Sequence, residues 1–157
     1  MYVSDEFLVS VLPPPSPPLE IITLSVLSVN FKLHLHFIYC PSSSVCDIFD
    51  NLCTYLQSIV AGHLSNLCFL GDFNSCSHPL YSNLCSITLL FSLTQVVVGP
   101  THVHHDGSTS TIDLVFVPDT SLVNNCSTSP PLSNSDHYGI GMELNRKPKK
   151  AAKAKSG

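Results

Sequence analysis

Three short segments place acidic, amide and imidazole side chains where apolar runs end. The first is Leu70-Gly71-Asp72-Phe73-Asn74, which follows the apolar run 66–70. Asp72 and Asn74 flank a single apolar residue and so share one side of an extended chain. A carboxylate there can take a proton or face a cation, and an amide can donate to an anionic oxygen. An Asx turn accounts for the same spacing equally well. In the second segment, 110–116, Asp113 stands among Ile112, Leu114, Val115 and Phe116. A carboxylate in an apolar strand is costly unless it is paired, and a histidine is its natural partner. The third is Ser135-Asp136-His137-Tyr138. On an extended backbone Asp136 and His137 project to opposite sides, one free for a cation and the other for a substrate. A polar turn into a last strand is the plainer reading of that segment alone.

The elements that must position these groups follow from periodicity. Residues 7–12 and 20–29 read as strands. Residues 32–39 alternate cleanly, with Leu33, Leu35, Phe37 and Tyr39 on one face and Lys32, His34 and His36 on the other; residues 29–31 would turn between the second and third strands. His34 and His36 could chelate a metal, but an exposed strand face is the better-supported expectation. Residues 45–61 carry Ile48, Leu52, Tyr55, Leu56 and Ile59 at helical spacing, with Asp47 at the helix start and Gly62 at its end. The run 66–70 suits a strand buried on both faces. A helix over 79–91 with Pro79 at its start, a strand over 95–98, a polar loop over 99–110, and strands over 111–117 and 138–144 complete the pattern. The fold class is α/β, a layered β-sandwich with flanking helices and a mixed sheet.

A chain of 157 residues, 44% hydrophobic and 11% charged, suits one domain and excludes global disorder. Its charge is uneven. Residues 1–145 hold one basic residue, Lys32, with all eleven acidic ones, and the other six basic residues lie between Arg146 and Lys155. Such an acidic body repels a polyanion unless a cation or the basic tail intervenes. Seven cysteines without a C-x-x-C pair argue against a structural zinc site and for reduced thiols. The sequon at Asn125 is a weak match. No cationic leader or membrane-length apolar run is present, so the expected location is nuclear or cytoplasmic, without secretion or membrane insertion.

Taken together, the three segments resemble those of the endonuclease/exonuclease/phosphatase superfamily (deoxyribonuclease I-like), and in particular the endonuclease of non-LTR retrotransposons. Gly99-Pro100-Thr101-His102, Gly107-Ser108 and Tyr39-Cys40-Pro41-Ser42 add to the likeness, which runs from Glu20 to Leu144. The resemblance implies phosphodiester hydrolysis of DNA with Mg²⁺, or alternatively Mn²⁺, as Lewis acid. His137 would contact the scissile phosphate or act as base, and Asp113 would hold its ring. Asp72 would orient or deprotonate water, and Asn74 would position phosphate or nucleophile. Asp136 would lie at the metal, and Tyr39 would offer its hydroxyl to phosphate. The family's principal metal-ligand glutamate precedes the matched region; Glu6 has no matching context and Glu20 comes too late. The expectation is therefore the C-terminal part of the domain (20–145), after an upstream remnant (1–19) and before a basic tail (146–157). Activity would be weak or absent. A reverse transcriptase segment would be the partner in a full-length element. A catalytically dead nucleic-acid-binding remnant, and a phosphatase of the same superfamily, are the alternatives.

Overall fold

The computed structural model describes residues 7–13, 20–29, 31–41, 45–60, 66–74 and 80–145. Strands β2 (Glu20–Ser28) and β3 (Phe31–Tyr39), rich in β-branched and aromatic residues, pair antiparallel along their whole length. β1 (Leu8–Val11) adds to the outer side of β2. Helix α1 (Val45–Val60) then carries the chain over to β4 (Leu67–Asp72), which lies parallel to β3; parallel neighbours require such a crossover. Next come α2 (Leu80–Leu90), β5 (Thr94–Gln95) and a small hairpin of β6 (His102–Val103) and β7 (Thr109–Ser110). β8 (Asp113–Val117), a 3₁₀ turn at Thr120–Leu122, β9 (Val123–Ser129) and β10 (Gly139–Leu144) follow. The main sheet runs β1-β2-β3-β4-β8-β5 and is mixed, while β9 and β10 form a separate antiparallel pair.

Both faces of the main sheet are covered at its centre. Phe49, Leu52, Tyr55 and Leu56 of α1, with Leu84 and Ile87 of α2, pack on Ile21, Ile38, Phe69, Leu114 and Phe116. On the other face Val123, Cys126, Ile140, Met142 and Leu144 meet Leu33, Cys68, Val115 and Val117. This is the layered, mixed-sheet architecture expected from the sequence. The β9–β10 layer is narrow, and toward β1 the same face leaves Val11 72% and Ile22 60% exposed.

Several expectations need correction. The polar loop over 99–110 contains a hairpin, the strand at 95–98 is replaced by a shorter one shifted to Thr94–Gln95, and β9 has no counterpart among the expected strands. The face bearing His34 and His36 is not exposed: α1 lies on it, and His36 is buried. The proposed helix-start role of Asp47, Glu6, the proline run from Pro14, Gly62, Pro79 and the basic tail lie outside the described side chains and residues. Among the described residues no helix is long and apolar enough to cross a membrane.

His36 stacks on Phe69, and its Nδ1 lies 2.7 Å from the Tyr55 hydroxyl and 3.2 Å from that of Thr23. Burial, with the His34 charge adding, pushes its pKa down to about 4. Unfolded, the imidazole returns to its ordinary value near 6.5. Between those values the unfolded chain takes a proton that the folded chain refuses, so stability is lost as pH falls through the window. The expected loss from about pH 7 to about pH 4.5 is roughly 2 to 3 kcal/mol from this group. Urea midpoints of wild type and His36→Gln at the two pH values should show a smaller pH dependence in the variant. Equal dependence would refute the assignment.

Candidate active site

The sheet register builds the site. Glu20 stands opposite Tyr39, Tyr39 beside Asp72, and Asp72 opposite Asp113, forming one row across four strands. Partners in a row share a face. Glu20 is two strand spacings, ~10 Å, from Asp72 and does not reach the centre of the cluster. Tyr39 lies next to Asp72 with a half-exposed side chain.

Gly71 lies inside β4, between Ile38 and Leu114. Its φ is +147°, and a Cβ there would sit 1.8 Å from the Ile38 carbonyl oxygen. The turn comes after Asp72. Phe73 dives into the helix-side core while Asn74 adopts a φ of 45°. The Asn74 backbone N–H donates to Asp72 Oδ1 at 3.0 Å, and its amide donates to Asp72 Oδ2 at 3.2 Å and to the Cys40 carbonyl at 2.9 Å. Asn74 therefore fixes the Asp72 carboxylate with its backbone N–H and its side-chain amide, and ties that turn to the Cys40 carbonyl.

Asp113 is held by a residue that sequence reasoning did not assign. The buried Thr101 hydroxyl accepts the backbone N–H groups of both Ile112 and Asp113 at 2.9 Å. The same stretch zips the third segment into place. Tyr138 N–H donates to the Thr101 carbonyl, Val103 N–H donates to the Asp136 carbonyl, and His102 pairs with His137. His137 Nδ1 thereby donates to Asp113 Oδ2 at 2.9 Å. Asp136 and His137 are not split between opposite sides, because the backbone bends at Asp136. Asp136 Oδ1 lies 4.0 Å from His137 Nε2, and its Oδ2 lies 3.4 Å from His102 Nε2. His102, read in sequence only as part of a family segment, packs edge-on against His137 at 4.9 Å. The histidine directly after Pro-Thr was the available signal.

Asp72, Asp113 and His137 bring ligand atoms within 4.8 Å of one another. Burial raises the Asp72 carboxyl above its ordinary range; hydrogen bonds from Asn74 pull it back, and the Asp113 charge adds to the rise. Burial lowers the His137 imidazole, but the Asp113 hydrogen bond and the charges of Asp113, Asp72 and Asp136 outweigh it and leave the pKa raised. Asp136 is lowered by a backbone hydrogen bond and the neighbouring imidazoles. The arrangement is a carboxylate disposed to accept protons beside an imidazole disposed to hold one, with oxygen donors open to solvent.

A sequence model of the endonuclease-reverse transcriptase family matches residues 33–141. No curated protein matches the chain significantly. Among solved structures, the endonuclease domain of TRAS1, a telomere-specific non-LTR retrotransposon, superposes with a TM-score of 0.76 at 16% identity, over 90% of this chain and 68% of that one. An endonuclease/exonuclease/phosphatase family protein from Leptotrichia buccalis C-1013-b gives 0.56 at 19%, over 80% and 52%. D. rerio TDP2 complexed with single strand DNA product gives 0.59 at 15%, over 89% and 68%. At these identities the likeness is one of fold.

Proposed function

The chain belongs to the endonuclease-reverse transcriptase family within the endonuclease/exonuclease/phosphatase superfamily, and from that we propose that it hydrolyses DNA phosphodiesters at Asp72, Asp113 and His137. The carrying observation is the Asp113–His137 hydrogen bond at 2.9 Å, formed within reach of Asp72. With Nδ1 committed to Asp113, His137 has Nε2 left to meet a phosphoryl oxygen and stabilise its developing charge. Asp72, clamped by Asn74, orients water and takes its proton, a role its raised pKa suits. Tyr39 offers its hydroxyl to phosphate from the next strand. The donor set fits a hard divalent cation at Asp72 and Asp113, whose carboxylate oxygens lie within 4.8 Å of each other and of the His137 ring nitrogen, while the 65%-exposed Asp136 presents its own oxygens beside His102. Mg²⁺ bound there would supply Lewis-acid activation of the phosphoryl group. In a full-length element a reverse transcriptase segment is the proposed partner.

Supercoiled plasmid incubated with purified protein is expected to be nicked slowly, with Mg²⁺ and not with EDTA. So few carboxylates hold Mg²⁺ weakly, and the acidic body repels DNA. An aryl phosphomonoester should release no phosphate under the same conditions. Phosphate release faster than nicking would replace the nuclease reading by a phosphatase. Nicking that is indifferent to EDTA would end the proposal.

A further inference from the structure

We propose that His102 Nε2, His137 Nε2 and Asp136 form a binding site for a borderline first-row divalent cation of the Zn²⁺ type, chemically distinct from any oxygen-ligated Mg²⁺. The ligand atoms of these three residues lie within 4.8 Å of one another. The spacing of one pair is telling. Two ligands bound tetrahedrally to one zinc at ~2.1 Å lie ~3.4 Å apart. His102 Nε2 and Asp136 Oδ2 are 3.4 Å apart, longer than a charge-assisted hydrogen bond of about 2.8 Å. His137 Nε2 is 4.0 Å from the other Asp136 oxygen, about 0.6 Å beyond the spacing of two ligands on one ion.

The surroundings of His137 match those of a metal-bound imidazole, whereas His102 keeps a buried Nδ1 with no partner among the described residues. Histidine ligands characteristically donate their second N–H to a carboxylate, which fixes the ring and raises its basicity. His137 does so to Asp113 through Nδ1, leaving Nε2 for the ion. All three ligands sit on paired backbone: His102 bridges to His137, and Val103 N–H binds the Asp136 carbonyl. The site is thus preformed by the hairpin of β6 and β7. Two imidazoles and one carboxylate, with a position open to water, select zinc-like ions over Mg²⁺ and Ca²⁺, which prefer oxygen. The described thiols are poor competitors where burial dominates: Cys40 and Cys68 are pushed up to about 12.

Occupation would consume His137 Nε2, the atom left to meet phosphate. Zinc-type ions should therefore inhibit phosphodiester cleavage in the presence of excess Mg²⁺. That consequence rests on the proposed function; the binding itself does not.

The test is calorimetric titration of the full chain with ZnCl₂ in Mg²⁺-containing buffer, with Co²⁺ as a spectroscopic probe. Wild type should bind one equivalent more than His102→Ala or Asp136→Asn, with visible Co²⁺ bands that both variants lose. His105→Ala, an exposed neighbour, should keep them. Affinity should fall at least tenfold on loss of one ligand. His102→Gln, which preserves a donor toward Asp136, serves if His102→Ala does not fold. Identical stoichiometry and affinity in wild type and both His102 variants would overturn the site. Zinc binding without any nicking would remove only the nuclease reading, and nicking without zinc binding would remove only this site.

Discussion

Replacing His137 by alanine is expected to reduce Mg²⁺-dependent nicking by on the order of a thousandfold, to background. In the proposed reaction the imidazole meets charge on the phosphate while its other nitrogen is tied to Asp113 at 2.9 Å. Acid–base and charge-stabilising groups of this kind contribute about 10² to 10⁴ in rate. Asp113→Asn should fall between wild type and His137→Ala. It leaves the ring in place, yet removes the carboxylate that orients it and raises its pKa, a change that costs roughly 10- to 100-fold. The His137 imidazole should then titrate lower in Asp113→Asn, measured by NMR. Initial nicking rates for the three proteins, each checked for folding by circular dichroism, decide the matter. Undiminished nicking in His137→Ala would mean that another centre, or a contaminant, cuts the DNA.

The second large effect concerns folding. Gly71→Ala is expected to cost about 4 kcal/mol or more, enough to unfold a marginally stable domain. The added methyl would sit 1.8 Å from the Ile38 carbonyl oxygen and 2.9 Å from the Ile38 nitrogen. These are backbone atoms in the strand that pairs with β4, so no side chain can swing away. Either β3 and β4 separate at the row carrying Tyr39 and Asp72, or the substitution is not tolerated. Gly107→Ala is the control. Its φ of +82° is also unfavourable for alanine, but nothing lies within 4 Å of the added carbon, so it should cost only about 1 to 2 kcal/mol. Soluble yield and urea unfolding of the two variants test this. A Gly71→Ala protein as stable as wild type would show that β3 and β4 pair differently.

Much of this was legible in the sequence because strong periodicity and special residues coincide there. The alternation over 32–39, the helical stripe over 45–61 and the apolar run at 66–70 each name one element. The three polar segments fell where those elements end. The rest was hidden for physical reasons. β9, Val-Asn-Asn-Cys-Ser-Thr-Ser, lies over one face of the sheet and is mostly polar, so its few inward residues carry little signal. The hairpin inside 99–110 has two-residue strands, which no pattern can reveal. Alternation puts His36 on a face but cannot tell whether a helix covers that face, which is why its burial is not legible in the sequence. The D-x-N spacing admits an Asx turn at Asp72, but the amide bonds from Asn74 to Asp72 and to the Cys40 carbonyl depend on its φ of 45°. His102 drew no chemical assignment because its neighbours Asp136 and His137 are more than thirty positions away in the chain.

The row that joins Tyr39, Asp72 and Asp113 also governs which genetic lesions the site can survive. Side chains alternate along a strand, so losing or gaining one residue within β4 or β8 turns every side chain beyond it to the other face. Asp72, the last residue of β4, would then point into the helix-side core, and in β8 the apolar residues after Asp113 would exchange faces, breaking the core contacts that hold Asp113 in the row. A change of two residues keeps the face but displaces the group along the strand by about 7 Å, still too far for the Asp113–His137 hydrogen bond. Substitutions can therefore weaken this centre by degrees, whereas small deletions or insertions in those two strands switch it off outright. The hairpin tip at Asp106 and Gly107, exposed and outside the row, is where a length change should be absorbed.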